Sequence, residues 1–323
     1  MFYQFGSSLV ALGVAILPGS VLAQSFDAGM TEELGKGHDK AISITPSVGY
    51  LRSVSTENVY DPVSRSKLSQ LDWKAQALTL GVRAAVRPLE NVTLRGSIWA
   101  AVASEADMRD RDWMFGNQGS DYWTHQSLHP NTRVPKAWQA DVSGAYRFFE
   151  DGDVAVAALA GYRHYDIKYR AYGGSYTYSV NGFRDVTGVF APSQLTISYR
   201  QQWDTPYLGL GTYYQGKTLS LAAEIYGSPV SFGRDRDYHA LRHTLFTEKF
   251  TPSGMIGANI AVEYPITSAL SLVARADYTK YIEAKGGTRI YDGATNQFAR
   301  IPKPAAGADA ETLNVSVGVR GKI

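Results

Sequence analysis

The sequence predicts an all-β protein, a ten-stranded antiparallel transmembrane β-barrel with long extracellular loops and short periplasmic turns. Three features predict it. Apolar and polar residues alternate with a period of two along much of the chain, which is the period of an extended strand. Short polar turns alternate with long polar connections. The composition is rich in tyrosine (21) and glycine (31), yet no apolar stretch beyond the N-terminal segment could form a spanning helix. A chain of this kind enters a bilayer only as a closed sheet, because open edges would leave backbone groups unsatisfied in hydrocarbon.

The 323 residues begin with an apolar run that ends in Val21, Leu22 and Ala23. Pro18 and Gly19 break the run, which fits a signal peptide over 1–23, cleaved before Gln24. A polar segment over 24–40 follows, and residues 41–323 form one barrel domain. In LTLGVRAAVR (78–87), Leu78, Leu80, Val82, Ala84 and Val86 share one face. Arg83 and Arg87 fall on the other, which suits a wet lumen better than a packed core. The turn RPLEN (87–91) leads into Val92, Leu94, Ile98 and Val102, again on one face. The same signature recurs around EDGD (150–153), QGK (215–217) and PITS (265–268). Several apolar faces end in an aromatic residue, among them Tyr146, Phe148, Tyr162, Tyr264 and Tyr278, as an interfacial girdle requires. Long polar connections are expected near 52–70, 104–134, 171–196, 232–245 and 284–310. Four tight turns and five long loops require ten strands.

Composition also excludes. There are no cysteines, so neither a disulfide framework nor thiol chemistry is available. A net charge of +2 gives no argument for nucleic acid as a partner. Ten strands enclose too narrow a lumen for a wide aqueous channel.

Two short stretches carry candidate chemistry. MRDRDWM (108–114) places Asp110 and Asp112 two apart, and GRDRDYH (233–239) places Asp237 and His239 two apart. On extended chain each pair shares one face, and the two loops concerned lie on opposite sides of a ten-strand ring. The pairs would therefore face one another across the mouth. Histidine, with an ordinary pKa of about 6.5, is a candidate general base. Asp237 could hold its tautomer and stabilise the imidazolium. Asp110 and Asp112, crowded together, could share a proton and fix a water opposite. Spacing alone leaves the plainer reading open: solvated loop acids salted by Arg109, Arg111, Arg234 and Arg236.

A wider pattern bears on that choice. SQLDWK (69–74), MRDRDWM, YWTHQSLHPNT (122–132), RAYGGSYTYS (170–179), NGFRD (181–185) and RDYH (236–239) follow one another in an order that resembles the omptins. Omptins are outer-membrane proteases of Gram-negative bacteria. The likeness spans roughly 42–323 and implies a ten-stranded barrel that cleaves peptides beside basic residues at its extracellular mouth. It implies catalytic roles for the couple Asp110 and Asp112 and for the dyad Asp237 and His239, with a water between them as nucleophile. It places Glu57, in STENVY, and Asp235 in a pocket for a basic P1 side chain, and Met108 beside a primed-side subsite. Two carboxylates at the bottom of a slot select Arg or Lys by charge-assisted hydrogen bonding. The expected partners are peptide or protein substrates with basic residues and outer-membrane lipid, with no resident cofactor or metal.

Departures from the family pattern limit what carries over. His125 stands where family members hold an acid, so a preference for a second basic residue is not implied. Ser127 and His129 read as groove supports. The family's lipopolysaccharide grip keeps Tyr162, whereas His164, Asp166 and Gln202 replace most of its basic set. Lipopolysaccharide as an activator is thus an expectation whose arrangement differs here. Ile323 replaces the usual terminal aromatic residue. The rival readings are a catalytically inactive barrel acting as adhesin or receptor, a lipid hydrolase using the Ser–His pair of HQSLH facing lipid, and a metal site built on His125, His129, His239 and His243.

Overall fold

The computed structural model describes residues 42–114 and 121–322. The expected signal peptide and polar segment, and Ile323, lie outside the described residues. Eleven strand segments follow in order: β1 (Ile42–Tyr60), β2 (Lys67–Leu89), β3 (Val92–Asp112), β4 (His125–Asp151), β5 (Val154–Tyr178), β6 (Val186–Gln215), β7 (Ser220–His239), β8 (Thr244–Phe250), β9 (Ser253–Pro265), β10 (Leu270–Asp292) and β11 (Gln297–Lys322). A short 3-10 turn, Ala240–Arg242, joins β7 to β8.

Neighbouring strands pair antiparallel, and β11 returns to β1 from Ser43 opposite Lys322 to Val59 opposite Ala306. The ring of hydrogen-bonded pairs is closed. Segments β8 and β9 both lie between β7 and β10 and share one position, parted at Thr251 and Pro252. Proline cannot donate to a ladder, so the strand breaks there. Eleven segments therefore fill the ten expected positions. All four expected tight turns are present at the end of the barrel where β1 begins and β11 ends.

The trunk is apolar outside and charged within. Leu78, Leu80, Leu94, Ile98, Leu208, Ile260 and Val317 are exposed on the lipid face. Inside, Arg95 meets Glu224 at 2.5 Å, and Arg163 bridges Asp141 at 2.9 Å and Asp277 at 3.1 Å. Arg320 pairs with Glu263. Buried charges of this kind persist only when paired and hydrogen-bonded.

The long connections differ from the expectation. Much of 52–70, 104–134, 171–196, 232–245 and 284–310 is paired strand rather than loop. Above the bilayer neither face meets lipid, so the apolar alternation that marks a trunk strand fades. The backbone ladder continues regardless, because it depends on N–H and C=O groups and not on side chains. Here the barrel interior is apolar and aromatic: Trp73, Tyr165, Tyr169, Tyr199, Trp203 and Tyr281 are fully buried and stack on one another. This layer closes the bore between the charged trunk and the mouth.

Candidate active site at the barrel mouth

The two R-D-R-D stretches are strand ends rather than loops. In β7 the alternation is disturbed near Gly227–Val230 and resumes with Ser231, Gly233, Asp235 and Asp237 buried and Phe232, Arg234 and Arg236 exposed. Asp235, Asp237 and His239 thus share the inner face. In β3, Arg109 turns outward onto Asp72 at 2.5 Å, and Arg111 donates to Gln126 Oε1 at 2.8 Å. Asp110 and Asp112 are left to the groove. The arginines beside the acids face the other way and do not neutralise them.

On one bank, His239 Nε2 donates to Asp237 Oδ2 at 2.5 Å, and Asp237 is 1% exposed. The imidazole edge packs on Phe246 with ring centroids 5.4 Å apart. Arg242, from the 3-10 turn, donates to His239 Nδ1 at 2.7 Å. On the other bank, Ser69 donates to Asp110 Oδ1 at 3.3 Å. Burial, then the charges of Asp112 and Asp237, hold the Asp110 carboxyl well above the usual range. Burial raises Asp112 as well, opposed by a hydrogen bond from Ser69 and by the charges of His125, Arg242 and His239. The couple and the dyad therefore feel one another across the cleft, as the sequence spacing predicts.

Below them lies a cluster of buried acids. Glu57 is 5% exposed, Asp235 3% and Glu248 3%. Burial raises Glu57 well above the ordinary range, with the Asp237 and Asp235 charges adding to it. Burial also pushes Asp235 up to about 6, although Tyr199 donates to its Oδ2 at 3.0 Å. Glu248 is raised by burial and by Asp235, its direct cross-strand partner. The family resemblance named Glu57 and Asp235, and Glu248 was not among the expected residues. Strand pairing was the signal, because Glu248 is opposite Asp235 only in the β7–β8 register.

Met108 is 1% exposed and packs in the same apolar cluster as Trp73, beneath the acids, so it forms floor rather than open wall. Ser127 and His129 are buried and joined, with His129 Nε2 accepting from Ser127 Oγ at 2.9 Å. His129 Nδ1 donates to the Gly173 carbonyl at 2.6 Å, which fixes the ring without any carboxylate. The pair faces inward, which removes the lipid-facing hydrolase reading. It also explains the GG of RAYGGSYTYS. Gly174 has φ +104, and a Cβ there would lie 2.2 Å from the Leu128 carbonyl and 2.9 Å from His129 Nδ1. His125 packs at a tilt against Tyr178, with ring centroids 5.1 Å apart, beside Asp112. No group of three or more His, Asp or Glu among the described residues could hold a metal ion.

On the outer wall, Asp166 is fully buried beneath Lys136 (2.7 Å), Trp138 (3.1 Å) and Arg200 (2.6 Å). Beside it Asp204 accepts from Tyr162 at 3.0 Å and His164 at 2.7 Å and forms an ion pair with Arg234 at 3.3 Å. Gln202 accepts from Arg234 at 3.1 Å. Lys136 and Arg200 share Asp166, so the cations named here outnumber the acids that hold them.

Comparison with known proteins agrees with this architecture. The omptin family model matches residues 38–322. The plasminogen activator of Yersinia pestis is 31% identical over 317 residues, covering 97% of this chain and 98% of that protein. Outer membrane protease OmpP of Escherichia coli K12 is 31% identical over 288 residues, 87% of this chain and 89% of that protein. Among solved structures, outer membrane protease OmpT from Escherichia coli has the same fold, with a TM-score of 0.84 at 24% identity. The match covers 89% of this chain and 99% of that one.

Proposed function

The chain belongs to the omptin family of outer-membrane proteases, and from that premise we propose that it hydrolyses peptide bonds beside basic residues, using a water activated between Asp110 with Asp112 and Asp237 with His239. The observation that carries the reading is the Asp237–His239 hydrogen bond facing a couple of raised carboxyls across one groove.

With Nε2–H given to Asp237, the lone pair of His239 Nδ1 is the basic site. A water held between Nδ1 and the Asp110–Asp112 couple attacks the scissile carbonyl as its proton passes to Nδ1. Asp237 stabilises the resulting imidazolium and keeps the ring in place. A proton retained by the crowded couple can donate a hydrogen bond to the tetrahedral intermediate. The imidazolium then returns its proton to the leaving amine. Arg242 donates to Nδ1, so its guanidinium swings aside before water can be activated. Glu57 and Asp235 receive the P1 cation below, and Met108 supports the floor near the primed side.

Peptides and proteins with basic residues are the substrates in this reading, with lipopolysaccharide as an activator of the embedded barrel. The test uses refolded protein with and without lipopolysaccharide and a peptide carrying one arginine. Cleavage beside the arginine that is lost in His239→Ala and in Asp112→Ala supports the mechanism. Wild-type cleavage in His239→Ala overturns it, and no cleavage by the native chain would favour the adhesin or receptor alternative.

A further inference from the structure

The P1 pocket holds one more acid than the family resemblance supplies. Glu248 comes from β8, Asp235 from β7 and Glu57 from β1, and all three are more than nine-tenths buried. Asp235 and Glu248 are direct cross-strand partners, where like charges ordinarily destabilise a sheet. Each of the three keeps one oxygen without a partner: Glu57 Oε2, Asp235 Oδ1 and Glu248 Oε2. Tyr199 donates to Asp235 and Thr288 to Glu248, and the Asp235 and Glu248 carboxyl groups are hydrogen-bonded to each other. No lysine or arginine among the described residues forms an ion pair with any of them.

Buried acceptors left open in this way are complementary to an incoming donor. The three acids come from three separate strands, β1, β7 and β8. A cation that spreads its donors over several atoms is the better match. A guanidinium offers five N–H groups in a plane, whereas an ammonium offers three from one nitrogen.

We propose that Glu248 is a third specificity-determining carboxylate of this pocket, accepting from the substrate guanidinium alongside Glu57 and Asp235 and favouring arginine over lysine at P1. The proposal rests on the protease reading above. A guanidinium would bridge this cross-strand pair in place of the hydrogen bond that its carboxyl groups share.

The experiment compares three matched peptides carrying arginine, lysine or citrulline (the neutral isostere of arginine) at P1, with the native chain, Glu248→Gln and Glu248→Asp. Folding of each variant is read independently from strand circular dichroism. In Glu248→Gln, kcat/KM for the arginine peptide is expected to fall about tenfold or more, the value of one charge-assisted hydrogen bond. The loss is expected mainly in KM, and the lysine and citrulline peptides lose less, so the arginine preference narrows. Glu248→Asp withdraws the carboxylate by one methylene and is expected to narrow it too, which keeps the test alive should Glu248→Gln not fold. An unchanged arginine-to-lysine ratio in the folded variants overturns the role of Glu248 and leaves the protease reading intact. A native chain that cleaves none of the peptides overturns both.

Discussion

The trunk and the mouth of this barrel treat buried charge in opposite ways. In the trunk each acid named above meets an arginine: Glu224 with Arg95, Asp141 and Asp277 with Arg163, Glu263 with Arg320. At the mouth Glu57, Asp235, Glu248 and Asp110 face one another, and the nearby arginines of both R-D-R-D stretches point outward. A paired interior charge serves the fold. An unpaired cluster raises its own pKa values and is held in place by the surrounding structure, which is the usual mark of a working site. The two regions teach that burial alone does not identify chemistry; the missing counter-charge does.

Four measurements can break or sharpen that contrast. The largest effect is expected at the mouth: His239→Ala should lower peptide cleavage by about a hundredfold to ten-thousandfold, the range for a general base, with strand content and detergent stability kept. Loss of the fold instead would make the dyad structural. In the trunk, Arg163→Ala should strand Asp141 and Asp277 and cost about 3–5 kcal/mol of stability. Denaturation in detergent would read it, and cleavage per folded molecule should persist. An intact midpoint would mean that the trunk pairs do little for the fold.

Intermediate in size is the double variant Glu57→Gln with Asp235→Asn. It should lower kcat/KM for an arginine substrate by about ten- to a hundredfold, from lost charge-assisted hydrogen bonds. Unchanged preference for basic P1 would remove both residues from the pocket. The smallest effect is a pH dependence with a definite sign. A carboxyl raised by folding binds its proton more tightly in the folded state than in the unfolded one. Asp235, raised to about 6, therefore makes the protein lose stability as pH climbs from about 4 through 6. Asp235→Asn should flatten that part of the stability profile. Recognition runs the other way, since a P1 cation needs the ionised carboxylate and should bind better above pH 6. Stability that rises over this window in the native chain, and is unaltered by Asp235→Asn, would refute the assignment.

Much of this was legible in the sequence. Leu78, Leu80 and Val82 against Arg83 and Arg87 disclosed a sheet turned inside out, because lipid on one side and water on the other print a two-residue period. The shared face of Asp110 with Asp112, and of Asp237 with His239, was legible for the same geometric reason, whereas spacing alone left their chemistry open and only the family resemblance assigned it. Other features depend on register between strands distant in sequence. Asp235 meets Glu248 and Arg163 meets Asp277 only once strands are paired. The long polar stretches looked like loops because no lipid imposes a pattern above the bilayer, yet most of them continue the ladder. Asp166 was expected on the outer wall and stands there, but its cover of Lys136 and Arg200 could not be anticipated from β5 alone.

The stacked rings of Trp73, Tyr199, Trp203 and Tyr281, seated above locked arginine–carboxylate pairs, make the bore a stopper rather than a conduit. Reconstituted in a planar bilayer, the protein should pass no steady ionic current. Reactant, solvent and cleaved fragments then all use a single doorway on the outside, and the periplasm is insulated from whatever happens there.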